Sequence, residues 1–518
     1  MSLMRSAAIV GLVAALSRVA GFVRDVMIAA ALGAGPVADA FLVAFRLPNL
    51  VRRTLSEGGF EAGLVPLYTR LRAERGDEAA GRFAGEALMG LVVLVLALVA
   101  VVQVAAGGVV LLLAGGYAGD PGTRELAATL IRLAFPFVLG VSAAAFLGAL
   151  LTAHRRALPA ALAPLTVNAG LILVLAALNR IGGLAPETRA MWLAAAVTGS
   201  GFVQLAVVAV AARGIPGLGL ARPRLSPEVR RLLAHGGPAL AASAAAQLMI
   251  VAATQVASFT PSAVSWLYYA DRLFQLPLGF VGVAVGLVLL PEMAAREAEG
   301  DRARFLDAQN RALEAALLLA LPAALALGLL AYPIAVVLFQ RGAFGPVDST
   351  GTALILAGLS LGLPFAAVGK VLSQSLFARG RARAALATGG FAVLVTAAAA
   401  FVLAEIVGVA GIGIGTALGL AAHAVSLGLV LAAEGLWRVD ARLRERLGRM
   451  AGACLAMGAA LFGMRDLLQG LVGSLRQGWI DTLLLGGFCA LGLAVYAGAA
   501  LLFGAVTRAD LAALRGRG

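Results

Sequence analysis

The chain has 518 residues, 61% of them hydrophobic and 13% charged, with a mean hydropathy of +0.95. A soluble domain carries about 25% charged residues, so this composition excludes one and predicts an all-α polytopic membrane protein built from apolar runs of about 20 residues. The net charge of +14 does not call for nucleic acid, because the arginines fall in short clusters between apolar runs, where the positive-inside rule puts them.

In chain order, fourteen spans are predicted near residues 7–31, 37–64, 84–106, 125–151, 158–179, 190–212, 232–258, 263–291, 308–331, 349–377, 384–407, 411–435, 450–470 and 480–505. The first run follows Arg5 and imitates a signal peptide, with small residues at Ala14 and Ala15. It continues through Arg18 with no extracellular domain to deliver, and is read as a retained first helix. Alternate connections differ in arginine content. "TRLRAERGDEAAGR", "AHRRA", "RGIPGLGLARPRLSPEVRR", "ARGRARA" and "WRVDARLRERLGR" fall on one side, whereas "LGAGP", "FTPSA", "FGPVDST" and "VGVAG" fall on the other. This alternation predicts cytoplasmic termini.

The first two spans read "SRVAGFVRDVMIAAALGAGPVADAFLVAFRLPNLVRRTLSEGGFEAG" and place Arg18, Arg24, Asp25, Asp39, Arg46, Arg52, Arg53 and Glu57 among apolar residues. A charge at the centre of a spanning helix costs about 2.5–3.5 kcal/mol on insertion scales, so such residues normally face a watery cavity or a partner. Arg18 and Asp25 are seven residues apart and share a helical face. Pro48 removes a backbone donor and bends the second span, while Gly58 and Gly59 permit close approach. The competing reading is that some of these groups snorkel to the interface or form purely structural ion pairs.

An internal repeat brings in the second half. "GPVADAFLVAFRLPNL" at 35–50 resembles "PSAVSWLYYADRLFQL" at 261–276 and aligns Arg46 with Arg272, next to Asp271. "GLVPLYTRL" pairs with "GLVLLPEMAARE", and "LTAHRRALPAAL" with "FARGRARAAL", at nearly the same offset. That offset covers six spans, an even number, so the repeat is parallel about an axis along the membrane normal. The expected organisation is two six-helix lobes around a central cavity, at 1–215 and 231–436. A cytoplasmic linker at 216–230 joins them, and two C-terminal helices lie within 437–518.

Forty of the 41 basic residues are Arg, and the single Lys, Lys370, lies inside the tenth span. A compact ammonium acts there as a point charge or as a group of adjustable pKa, unless it is a chance survivor of the Arg bias. Arginines gathered in a cavity select an anion, and their planar forks match phosphate or pyrophosphate oxygens. Enzyme chemistry lacks its parts: no span joins two nearby carboxylates to a His, and no Gly-rich loop with Lys and Ser/Thr suggests a nucleotide site. Cys454 and Cys489 read as buried thiols, and His154, His235 and His423 are too scattered to hold a metal.

At "SRVAGFVRDVMIAAALGAGPVADAFLVAFRLPNLVRRTLSEGGFEAGLVPLY" and "SAVSWLYYADRLFQLPLGFVGVAVGLVLLPEM" the chain resembles the MurJ (MviN) family of bacterial lipid II flippases, within the MOP exporter superfamily. The resemblance implies fourteen helices, alternating access, a bacterial inner-membrane location, and a groove for the lipid tail formed by the last two helices. It implies substrate contact by Arg18, Arg24, Arg52, Arg272, Lys370 and Asn49, with Asp25, Asp39, Arg53 and Glu57 in cavity ion pairs or gates. The implied partners are lipid II, membrane lipids and possible cell-wall synthesis machinery, with no cofactor. Some members bind sodium through an acid in the seventh helix. "GGPALAASAAAQLMIVAATQVASF" has none, which argues against sodium and leaves membrane potential or another ion. The alternatives are another superfamily exporter, for a polysaccharide-linked lipid or a drug, and a non-transporting cell-wall scaffold.

Overall fold

The computed structural model describes residues 3–54, 60–219, 221–284, 301–378, 381–464, 470, 478–507 and 510. Among them are eighteen α-helices and no strand. The first nine are α1 Leu3–Leu32, α2 Pro36–Thr54, α3 Phe60–Arg75, α4 Asp77–Leu113, α5 Pro121–Ala134, α6 Phe137–Ala153, α7 Ala157–Ile181, α8 Pro186–Ala212 and α9 Pro227–Ala257. The rest are α10 Ala263–Ala284, α11 Arg302–Leu329, α12 Ala331–Phe339, α13 Pro346–Ser360, α14 Leu363–Ala378, α15 Ala382–Val407, α16 Ala410–Ala433, α17 Ala441–Gly463 and α18 Gly478–Leu502.

Local chemistry explains several boundaries. Asp120 precedes Pro121 and accepts from the Thr123 N–H at 3.1 Å, so α5 starts with a capped first turn and a proline where no donor is needed. Asp301 and Asp440 cap α11 and α17 in the same way. At the end of α1, Gly33 takes a left-handed backbone (φ 67°) and donates to the Ala29 carbonyl at 2.8 Å.

Eight spans among the described residues are long and apolar enough to cross a membrane, and α13 with α14, bent by 49° at a short break, makes a ninth. The outer face of α4 exposes Leu94, Val101, Val104 and Leu112, a surface suited to hydrocarbon and not to water. The chain is an all-helical polytopic membrane protein. Helices α1 and α2, which carry the predicted site charges near the N-terminus, and the Arg272-bearing α10 are not among these nine spans of the described residues.

The chain divides into two compact units. The first comprises residues 1–265 together with Arg341–Phe344. In it α1 packs on α7 and α8, α2 on α5 and α8, and α3 on α4, α6 and α9. Tyr68, Phe146, Leu150 and Val208 lie in its core. The segment 341–344 closes over the end of α1: the Ala343 N–H donates to the Ala30 carbonyl at 2.9 Å, and Phe344 is buried. This contact requires two glycines. A Cβ on Gly33 would sit 2.5 Å from the Ala343 carbonyl oxygen, and one on Gly342, itself at φ 59°, would collide with the Ala30 carbonyl.

The second unit comprises 266–340 and 345–518. Here α15 pairs with α16, α11 packs on α14 and α17, and α17 packs on α18. Leu313, Leu363, Leu372 and Leu427 lie in its core. At one end the nearly buried Glu314 accepts from Arg311 and Arg446, and Arg446 also reaches Asp510 at 2.7 Å. This cluster ties α11, α17 and the segment after α18 together.

Candidate functional site

Within the first unit, α1 places Ser17, Gly21 and Arg24 at i, i+4 and i+7, one face turned to α7. The residue that meets them is Asn168, which lies against Gly21, 3.4 Å from where a Cβ would stand. Its Oδ1 accepts from Arg24 Nη1 at 2.8 Å, and its Nδ2 donates to the Ser17 carbonyl at 2.9 Å. Arg24 also donates to Asp25 Oδ1 through Nε at 3.0 Å and Nη2 at 2.7 Å, and its Cζ lies 5.3 Å from the centroid of the Phe45 ring. Arg24 is 8% exposed and Asp25 2%.

This is a held guanidinium. Of its five N–H groups, three are engaged and two have no partner among the described residues. A buried ion pair adds little net stability, because desolvation offsets the attraction, but it fixes geometry. The Asn168 amide and the Asp25 carboxylate therefore aim the remainder of the fork. Arg18, one turn and a half earlier on α1, is exposed and forms no side-chain hydrogen bond or ion pair among the described residues. The structure thus separates Arg18 from the Arg24–Asp25 pair, although the sequence puts Arg18 and Asp25 on one face.

On α2, which passes through Pro48, Asn49 Oδ1 accepts from Arg52 Nη2 at 2.8 Å and from Nε at 3.1 Å. The pair is local, i to i+3, and half-buried. Asp39, near the start of the same helix, is 3% exposed and accepts from the backbone N–H groups of Ser262 at 3.0 Å and Ser265 at 2.8 Å. It also accepts from the Ser265 hydroxyl. It caps the first turn of α10, where the unpaired N–H groups favour an anion. Arg46 has a role that reading the sequence did not assign: it is buried and donates to the Ile250 carbonyl at 3.0 Å and to the Thr254 hydroxyl, fastening α2 to α9. Glu57 and the side chain of Arg53 lie outside the described residues.

In the second unit, Arg272 Nη2 donates to the Tyr268 hydroxyl at 3.1 Å, and its Cζ lies 4.6 Å from that ring's centroid. The buried Tyr268 thus holds the guanidinium by a cation–π contact as well as by its oxygen. Asp271 accepts from Gln275 on the same helix. Lys370 on α14 is exposed, and its ammonium occupies the space that a side chain at Gly282 of α10 would need. Among the described residues no group of three His, Cys, Asp or Glu side chains is disposed to hold a metal.

Just beyond α6, His154 Nε2 lies 2.7 Å from the Tyr68 hydroxyl. Burial, and then the neighbouring Arg72 guanidinium, hold the His154 imidazole below its ordinary pKa, so the neutral ring is favoured.

Comparison with known proteins follows the same lines. A family model described as lipid II flippase MurJ matches residues 28–479. A probable lipid II flippase MurJ from Rhizobium meliloti is 37% identical over 96% of this chain and 93% of its own length. A lipid II flippase MurJ from Burkholderia cenocepacia is 30% identical over 85% of this chain and 86% of its own. A solved lipid II flippase MurJ in an inward-closed conformation matches with a TM-score of 0.75 at 20% identity, covering 95% of this chain and 98% of its own. An inward-facing MATE-family multidrug transporter of the MOP superfamily matches at 0.68 and 16% identity, covering 80% of this chain and 94% of its own. The last two likenesses concern the fold. Because the family model spans most of the sequence and the Rhizobium relative aligns almost end to end, this chain belongs to the MurJ family of lipid II flippases.

Proposed function

We propose that the chain is a transporter and not an enzyme, carrying lipid II, the undecaprenyl-pyrophosphate-linked disaccharide-pentapeptide, from the cytoplasmic to the periplasmic leaflet of a bacterial inner membrane by alternating access. The observation that carries this reading beyond family membership is the Arg24 guanidinium, pre-aimed by Asp25 and Asn168 with two N–H groups to spare. A hydrogen bond to a charged group contributes about 1.5–3 kcal/mol, and a fork fixed in advance loses little freedom on meeting a phosphate.

In this reading Arg24, Arg18, Arg52, Arg272, Lys370 and Asn49 contact the head group in turn. Asp25 competes with the pyrophosphate for Arg24, so that arrival loosens the resident pair and departure restores it. Asp39, Arg53 and Glu57 belong to the gating contacts. The chain makes fourteen crossings with cytoplasmic termini, as two six-helix lobes, and α17 and α18 hold the polyprenyl tail. No cofactor takes part; the membrane potential or an ion supplies direction. Cell-wall synthesis enzymes are the natural recipients of the exported precursor.

The test is complementation of a bacterium depleted of its own flippase, with outward-facing lipid II measured by an external enzyme that cleaves only exposed head groups. Wild type is expected to restore cleavage, and well-expressed Arg24→Ala and Arg272→Ala variants are expected not to. Stable insertion of wild type without restored exposure refutes the assignment.

A further inference from the structure

One end of the first unit carries an unusual surplus of positive charge. Arg155 and Arg156 lie in the turn between α6 and α7, Arg213 at the end of α8, Arg222 and Arg224 in the following segment, and Arg230 in the first turn of α9. All six are exposed, and none forms a side-chain hydrogen bond or ion pair among the described residues. Between residues 154 and 231 the only acids are Glu187, at the start of α8, and Glu228, which Arg75 engages at 3.0 Å. In the second unit Arg381, Arg442 and Arg449 are each engaged by a carboxylate, whereas the exposed Arg383 and Arg444 form no ion pair among the described residues. The positive-inside rule explains why arginines stand at this end of the helices; the acids close by on α3 and α4, Glu74, Asp77 and Glu78, are paired with Arg70, Arg72 and Arg82 and not with this group.

The surface is also held in place. Gly217, at φ 72°, approaches α4 so closely that a Cβ there would sit 2.5 Å from the Glu78 carbonyl oxygen. A Cβ on Gly85 would likewise sit 2.5 Å from the Gly219 carbonyl oxygen. The segment after α8 is therefore laid backbone-to-helix on α4, and Ile215 is buried beneath it. Arg156 reaches the same segment, its Nη1 3.3 Å from where a Cβ of Gly214 would be. Arg155 adopts φ 58°, a left-handed backbone that a non-glycine residue takes at a cost. Among these cations stand two exposed leucines, Leu225 at 64% and Leu233 at 55%.

We infer that this surface is a binding site for anionic phospholipid head groups, with the arginines on the phosphates and Leu225 and Leu233 entering the acyl boundary. The mixture of unpaired cations and exposed leucines at the ends of spanning helices fits a lipid interface, where basic residues and apolar side chains act together. An acidic protein or an RNA would use the cations and leave the leucines in water.

The full-length protein, purified and incubated with phosphatidylglycerol or phosphatidylcholine of equal chain length, is examined by native mass spectrometry. Wild type retains phosphatidylglycerol preferentially. The triple variants Arg222→Gln/Arg224→Gln/Arg230→Gln and Arg155→Gln/Arg156→Gln/Arg213→Gln each lose that preference by roughly fivefold per arginine removed. A control variant, Arg381→Gln/Arg442→Gln/Arg449→Gln, keeps it. Should a variant misfold, wild type alone decides: the preference falls as salt rises from about 0.05 to about 0.5 M. Unchanged lipid preference in both triple variants, a salt-insensitive preference, or tighter binding of an oligonucleotide than of phosphatidylglycerol overturns the proposal.

Discussion

Replacing Asn168 by Ala tests the central geometric claim. The substitution removes the acceptor for Arg24 Nη1, a 2.8 Å bond to a charged donor, and the 2.9 Å bond from Nδ2 to the Ser17 carbonyl. The first contributes about 1.5–3 kcal/mol and the second about 1 kcal/mol. The Ser17 carbonyl sits inside a helix and keeps its intrahelical partner, so the Arg24 bond dominates. If that bond aims the fork, losing it slows head-group transfer by about 10- to 150-fold. Asn168→Asp retains an acceptor for Arg24 but not the donor to Ser17, and falls between Ala and wild type. The assay is the rate at which lipid II becomes cleavable from outside, normalised to membrane-inserted protein. A wild-type rate for well-inserted Asn168→Ala refutes the claim that this amide positions Arg24.

Asp25→Asn leaves the buried Arg24 cation with a weaker partner, and breaking a buried pair costs about 3–5 kcal/mol; the melting temperature in detergent falls, and an unchanged value contradicts the burial described for the pair. Tyr268→Phe removes the hydroxyl from Arg272 but keeps the ring, so transport drops a few-fold, whereas Tyr268→Ala removes both contacts and drops it further; equal losses would exclude a cation–π contribution. Gly342→Ala combines a left-handed backbone, about 1–2 kcal/mol, with a clash against the Ala30 carbonyl, while Gly408→Ala has φ 64° and open space; the melting temperature is expected to fall more at 342 than at 408. For His154 the folded pKa lies below the ordinary value, so the unfolded chain binds the proton first and stability declines as pH falls through about 6.5. Melting curves from about pH 8 to about pH 5 should show a shallower acid-side decline in His154→Gln than in wild type.

Much of the architecture was legible because hydropathy and helical length are local properties of the chain. The run from Met89 to Val104 announces α4 without reference to any partner. The charges of α1 and α2 were equally visible, since Arg24 and Asp25 interrupt an apolar run. What they touch was not. Asn168 sits 144 residues from Arg24, and its only signal is a lone amide in "PLTVNAGLILV". Arg46 appeared in the repeat, yet its partners Ile250 and Thr254 lie on a helix that the repeat does not match to α2. The pairing of Arg24 with Asp25, and not Arg18 with Asp25, depends on rotamers and on the neighbouring α7, which helical spacing does not encode. The short α12 after α11 escaped notice because one apolar run continues across both.

The position of Arg341–Phe344 has a consequence for biosynthesis. All other residues of the first unit precede residue 266, but the stretch of chain that covers the end of α1 emerges from the ribosome about 80 residues later. At about 5–20 residues per second, the rest of the first unit, once synthesised, waits roughly 4–16 s with the last carbonyls of α1 uncovered while later helices enter the membrane. During that interval the nascent first unit is open to an insertase or chaperone, and a pause before residue 341 would prolong the exposure.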